Sequence, residues 1–165
     1  MIFVTVGTHE QQFDRLVKQI DLLKKSDVIT EEVMMQTGFS TYEPRYCKWS
    51  KLLSFKEMQT YVAEARIVIT HGGPSSFIAP LQIGKIPIVV PRQKKFDEHV
   101  NDHQVDFCKE VKERMGNIIL VEEVEQLEKV ISKYDEYVKE IPFQQQSNNA
   151  RFNEKLETMV GDLWA

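Results

Sequence analysis

Short apolar runs alternate along the chain with longer stretches in which apolar residues return every three or four positions. "IFVTV" (2–6) is apolar and β-branched and ends at Gly7, and beyond it Phe13, Leu16, Val17, Ile20 and Leu23 recur at helical spacing. A strand, a turn and a helix are predicted. "EEVMMQTG" (31–38) and "KWSKLLSF" (48–55) are weaker strand candidates, and the stretch between them, with Gly38, Tyr42 and Pro44, reads as a loop. "SFKEMQTYVAEA" is a helix whose Ser54 suits the N-cap and whose Glu57, three residues on, completes a capping box.

"RIVIT" and "IPIVV" are continuous rather than alternating apolar runs, the pattern of parallel strands covered on both faces. They are the predicted central strands. After Pro91 a polar loop leads to a helix over about 98–115, then "NIILV" as a strand, then Val124, Leu127, Ile131, Tyr134 and Val138 at helical spacing. Alternating strands and helices predict an α/β fold: a Rossmann-like, open and mainly parallel sheet with helices on both faces.

Composition narrows the function without naming it. At 165 residues, 42% hydrophobic and 28% charged, the chain has the balance of one ordinary globular domain that needs neither metal nor disulfide to hold a core. A formal net charge of −4 argues against a broad nucleic-acid surface. Cys47 and Cys108 form no CxxC pair or zinc spacing, which fits a reducing compartment. The opening "MIFVTVG" has no basic leader and no apolar run reaches membrane-span length, so a soluble, cytoplasmic chain is expected.

Two units are expected: a ligand-binding domain over 1–142, and a polar linker with an amphipathic helix over 143–165. In that last helix Phe152, Leu156, Met159, Val160 and Leu163 share a face. It packs on its own domain or docks on a partner; the pattern alone leaves both open.

The chemistry concentrates in "THGGPSSFIAPLQIGKIPIVVPRQKKFDEHVNDHQ" (70–104). In a parallel sheet, ligands sit beyond the carboxyl ends of the strands, where helix N-termini present unpaired N–H groups. His71-Gly72-Gly73 turn the chain after a buried strand, Pro74 suits the first helical position, and Ser75 and Ser76 add hydroxyls. This is the layout of an anion cradle, the alternative being a tight turn with no ligand. It matches neither GxxxxGK[ST] nor GxGxxG. Pro80 should kink this helix or delay its start, because it cannot donate to the Ser76 carbonyl. Arg92, Lys94 and Lys95 follow the next strand at the same sheet edge, able to attract a diphosphate or simply to form a solvated basic loop. "DEHVNDHQ" then offers carboxylates, histidines and Gln104, groups suited to sugar hydroxyls. His99 and His103 are four apart, but the glutamate precedes the first histidine and no third ligand is evident, so no metal is expected.

Three blocks carry a family pattern: "FVTVGTHEQQFDRL" (3–16), "SFKEMQTYVAEARIVITHGGPSS" (54–76) and "GKIPIVVPRQKKFDEHVNDHQ" (84–104). In order and spacing they resemble the C-terminal, nucleotide-sugar-binding half of family 28 glycosyltransferases of GT-B architecture. More closely they resemble the small soluble subunit of the two-component enzymes of that family, a group that includes the eukaryotic dolichol-linked UDP-GlcNAc transferase. "PRQKKFDEHVNDHQ" is most similar to the bacterial branch, the β-1,4-galactosyltransferases of capsule and exopolysaccharide synthesis.

The resemblance implies a UDP-sugar donor, most simply UDP-galactose, a lipid-diphosphate-linked sugar acceptor, and a membrane-associated subunit that binds it and holds this chain at the inner membrane face. It implies inverting hexosyl transfer with no metal or other cofactor. Gly72, Gly73, Ser75 and Ser76 would hold the diphosphate with Arg92, Gly7 and Thr8 would line the cleft, and Glu98, His103 and Gln104 would meet the sugar. His9, on the first loop, is this chain's candidate general base, the alternative being a carboxylate or histidine of the partner subunit. Many family members carry a glutamate for the ribose hydroxyls in the helix after the glycine turn, and Ala79 stands at that place here. UDP-GlcNAc or UDP-glucuronate as donor, or a subunit that binds without catalysing, remain the alternatives.

Overall fold

The computed structural model describes residues 1–141 and 158–159. Six strands form one sheet in the order β3-β2-β1-β4-β5-β6, with every pairing parallel. They are β1 (Ile2–Thr5), β2 (Val33–Gln36), β3 (Lys48–Ser50), β4 (Ile67–His71), β5 (Ile88–Val90) and β6 (Ile119–Leu120). The helices are α1 (Asp14–Lys25), α2 (Phe55–Glu64), α3 (Pro74–Gln82), α4 (His103–Met115), α5 (Leu127–Ser132) and α6 (Tyr134–Lys139).

The apolar runs become the buried middle of the sheet: every residue of β1, β4 and β5 is buried. Successive side chains of a strand point to opposite faces, and the core divides accordingly. Ile2, Val4, Ile67 and Ile69 pack with Leu16, Val17 and Ile20 of α1, whereas Phe3 and Val68 pack with Val62 of α2. Phe3 also stacks on Tyr61, with ring centroids 5.3 Å apart. β3 lies at the sheet edge, where Lys48 is exposed and pairs with Glu32 at 2.5 Å. An open, mainly parallel α/β sheet is therefore the observed architecture.

Local chemistry sets the element ends. The capping box at Ser54 and Glu57 is present in both directions, at 3.1 and 2.9 Å. At the other end of α2, Lys85 Nζ donates to the carbonyls of Val62, Ala63 and Ala65, satisfying groups that have no intrahelical partner.

Three boundaries differ from the pattern-based expectation. α3 starts at Pro74 and runs continuously through Pro80 to end two residues later at Gln82, so the proline neither delays the helix nor stops it at once. α4 starts at His103, not near Glu98. The intervening turn is held by short polar side chains: Asn101 Oδ1 accepts from His103 N, and Asp102 Oδ1 from Lys94 N. The periodic run from Val124 to Val138 is broken at Lys133 (φ −114°, ψ 21°), where Tyr134 turns inward and donates to the Ile86 carbonyl at 2.6 Å.

The proposed linker and last helix (143–165) lie outside the described residues except for Thr158 and Met159. These two are helical, and Met159 is buried in the main core. Among the described residues no helix is long and apolar enough to cross a membrane.

Candidate functional site

The chain order reverses between β1 and β4, which lie side by side, and this switch point is where an open parallel sheet accepts ligands. The loop after β1 brings Gly7, Thr8 and His9, and the turn after β4 brings Gly72 and Gly73 and then α3 with Ser75 and Ser76. Between them is a cleft of about 300 Å³. Its lining includes Gly7, Thr8, Ser75 and Ser76, which bring polar groups, and the apolar Leu52, Leu53 and Met58.

His71 sits at the hub of the cradle. Its imidazole is almost wholly buried at the end of β4, where its Nδ1 accepts from the Gly73 amide at 3.0 Å and its Nε2 lies 2.8 Å from Ser76 Oγ. Burial, with the Arg92 guanidinium near it, pulls its pKa down to about 3. Both flanking glycines exist for this ring. A Cβ on Gly73 would fall 2.2 Å from His71 Cε1, and one on Gly7, whose φ is +79°, would fall 2.4 Å from His71 Nε2. Only glycine leaves room for the imidazole on both sides.

The glycine amides are already engaged within the protein. Gly72 N donates to Gln104 Oε1, Gly73 N to His71 Nδ1, and Gly7 N to Gln36 Oε1. The glycines thus shape the cleft, and the donors left for an anion are the Ser75 and Ser76 hydroxyls and the Ser75 amide at the start of α3, since Pro74 has no N–H and Ser76 N donates to the Gly73 carbonyl.

Arg92 is placed differently from the diphosphate contact expected of it. Its side chain is fully buried and its guanidinium donates to the carbonyls of Val6, Gln11, Gln12 and Glu98. A guanidinium spent on four carbonyls fixes the first loop instead of facing the cleft. Glu98 is likewise turned inward. Its carboxylate accepts from Arg15 Nε at 2.9 Å and from Gln93 N at 3.0 Å, and the residue has no exposed surface. Gln104 is buried too, its Oε1 shared by the amides of Gly72 and Arg92, so it ties the cradle to the end of β5. Of the three residues expected at the sugar, only His103 is exposed.

His9 lies at the cleft's rim, stacked on His99 with ring centroids 4.6 Å apart and planes 8° from parallel. Gln11 Nε2 donates to the Asp97 carbonyl, so its Oε1 is the acceptor toward His9 Nε2 at 2.8 Å. His9 Nε2 is therefore the donor in that bond, and in the neutral ring Nδ1 is the nitrogen with the lone pair. Among the described residues, no three His, Cys, Asp or Glu side chains gather as metal ligands.

Several members of the site carry no motif. Gln36 accepts from Gly7 N and Thr5 Oγ1 and donates to the carbonyls of Gly7 and Lys51, clamping the first loop to β3. Leu52, Leu53 and Met58 look like ordinary hydrophobics in the sequence, and only the fold shows that they wall the cleft.

A parallel sheet whose helices start beyond the carboxyl ends of its strands defines a Rossmann-like domain. The comparisons give it a family. The glycosyltransferase family 28 C-terminal domain matches residues 1–160, and the chain belongs to that family. No curated protein matches it. Among solved structures it resembles the glycosyltransferase SnogD from Streptomyces nogalater, at a TM-score of 0.55 and 16% identity, covering 97% of this chain and 42% of that one. It also resembles CalG4, the calicheamicin glycosyltransferase, at 0.54 and 13%, covering 98% of this chain and 43% of that one. The fold is that of the C-terminal domain of GT-B glycosyltransferases, and the chain spans less than half the length of either neighbour.

Proposed function

We propose that this domain is the donor-binding half of a glycosyltransferase, taking a UDP-sugar, with galactose the transferred hexose. One observation carries the reading: a single cleft at the switch point joins an apolar wall of Leu52, Leu53 and Met58 to hydroxyls at a helix start, Ser75 and Ser76. Those are the two kinds of surface that a nucleoside diphosphate presents needs for. Galactose itself rests on the likeness of 91–104 to the bacterial capsule branch, and Ala79 leaves the ribose hydroxyls to be met by groups other than a helix glutamate.

In this reading an acceptor hydroxyl attacks the anomeric carbon with inversion. The new C–O bond forms as the bond to the UDP oxygen breaks, and the acceptor proton passes to a base. Negative charge grows on the departing diphosphate, and the Ser75 and Ser76 hydroxyls with the α3 N-terminus are fixed donors for it. His9, with its ring held by Gln11 and His99 so that Nδ1 is the nitrogen available to a proton, is the base this chain can offer. The acceptor, a lipid-diphosphate-linked sugar, is bound by a membrane-associated second subunit, a reading supported by the resemblance of residues 3–16, 54–76 and 84–104 to the small subunit of two-component family 28 enzymes. The setting is capsule or exopolysaccharide synthesis, at the inner membrane face.

The test is transfer by the complex of this chain with its acceptor-binding partner. Ser75→Ala with Ser76→Ala should abolish sugar transfer while the complex still assembles. Unchanged transfer would refute the donor-site assignment. His9→Ala should lower turnover by at least about a hundredfold, and a loss of only a few-fold would remove His9 as the base.

A further inference from the structure

The hydrogen bonds around His71 assign its tautomer. Gln104 Oε1 accepts from two backbone amides, Gly72 N at 3.1 Å and Arg92 N at 3.0 Å, so its amide orientation is fixed and its Nε2 faces His71 Nδ1 at 3.4 Å. Gly73 N–H donates to the same Nδ1 at 3.0 Å. With two donors aimed at Nδ1, that nitrogen carries the lone pair and Nε2 carries the hydrogen. Among the described residues, Ser76 Oγ, 2.8 Å away, is positioned to accept that hydrogen. Ser76 is thereby the acceptor in that bond, and its own proton is left for whatever occupies the cleft.

We propose that His71 is a positioning residue that acts on the donor's phosphates through Ser76: locked as the Nε2–H tautomer, it turns the Ser76 hydroxyl into a one-way donor to the anion. A serine free to rotate presents lone pairs to a phosphate as readily as its proton, and lone pair against phosphate oxygen is repulsive. The imidazole removes that choice before the ligand arrives. It does so without adding charge, because its depressed pKa keeps it neutral at working pH. The glycines at 7 and 73 are then requirements of the imidazole, and through it of the hydroxyl. The inference rests on the donor-site reading above and deepens it.

Two variants separate the two edges of the ring. His71→Gln places an amide N–H where Nε2–H was and keeps the donor to Ser76. His71→Asn keeps an acceptor for Gly73 N–H but cannot reach Ser76. Calorimetric titration with UDP is expected to show Ser76→Ala about tenfold to a hundredfold weaker, the worth of one hydrogen bond to a charged group. His71→Asn should be at least about threefold weaker, and His71→Gln within about twofold of the unaltered chain. The double variant His71→Asn/Ser76→Ala should bind no more weakly than Ser76→Ala alone, because His71 has nothing left to act through. Additive losses in the double variant, or equal losses in the Gln and Asn variants, would overturn the proposal while leaving the donor site standing. A chain that fails to bind UDP even with its partner would overturn the donor reading and this inference with it.

The tautomer has a readout that needs no ligand. In long-range 15N–1H correlation spectra, His71 should show Nε2 protonated and Nδ1 bare, unchanged from about pH 8 down to about pH 5. An Nδ1–H pattern, or titration in that interval, would overturn the proposal whatever UDP does.

Discussion

Gly73→Ala isolates the claim that Gly73 makes room for the imidazole. Gly73 has φ −72° and ψ 128°, a conformation open to any L-residue, so alanine brings no backbone strain there. At such a site loss of glycine's unfolded-state freedom stabilises by about 0.4–1 kcal/mol. Gly73 is also the N-cap of α3, where alanine is worse than glycine by roughly the same amount. These two effects nearly cancel. What remains is the new Cβ, 2.2 Å from His71 Cε1 and 3.0 Å from Nδ1. The ring cannot retreat easily, since Gly7 closes its other side and Ser76 and Gly73 hold its two nitrogens. Overpacking of this kind costs about 1–3 kcal/mol. Loss of one or two hydrogen bonds adds about 0.5–1.5 kcal/mol each. Gly73→Ala should therefore lower the urea-unfolding free energy by about 1.5–6 kcal/mol, a large share of a typical total. In a His71→Ala background the obstacle is gone and the same substitution should cost less than about 0.5–1 kcal/mol. A nearly neutral Gly73→Ala in the unaltered chain, or an equal cost with and without the imidazole, would show that the ring is not what excludes a Cβ there.

Arg92→Lys keeps the charge but cannot serve four carbonyls, so thermal unfolding should shift down by at least about 2 kcal/mol of stability, and an unchanged Tm would show that the guanidinium does not anchor the first loop. Glu98→Gln leaves the Arg15 guanidinium beside an uncharged group, and a loss of about 3 kcal/mol in chemical denaturation is expected, whereas a sugar contact would change sugar affinity at constant stability. For His71 the folded pKa, about 3, lies below the usual 6.5, so the unfolded chain binds the extra proton between these values. Its contribution is complete above about pH 6.5 and is lost as pH falls toward 3. The unaltered chain should accordingly lose roughly 1 kcal/mol more per pH unit between pH 6 and pH 4 than His71→Gln, and parallel curves would mean that the imidazole is protonated in the fold.

The fold was legible because its strands are continuous apolar runs and its helices amphipathic, and parallel sheets advertise themselves in that way. The boundaries that escaped are those set by contacts distant in sequence or by local polar bonding, such as Tyr134 donating to Ile86 and the Asn101–Asp102 turn. At the site, the residue list was readable and the division of labour was not. A glycine pair and two serines after a buried strand signal an anion cradle. Nothing in the order of residues says that Arg92 and Glu98 turn inward and pair with the first loop and Arg15, since those partners lie more than 75 positions away. His71 was the available signal: a histidine closing a buried strand needs room, and Gly73, two residues on, supplies it on one side as Gly7 does on the other.

The measurement closest to the central claim is calorimetric titration of the purified chain, alone and with its partner, with UDP, UDP-galactose, UDP-GlcNAc and UDP-glucuronate. The account predicts one UDP-dependent site per chain, a preference for UDP-galactose, and at least tenfold weakening by Ser75→Ala with Ser76→Ala. Binding by neither the chain nor the complex, or binding indifferent to the two serines, would contradict it.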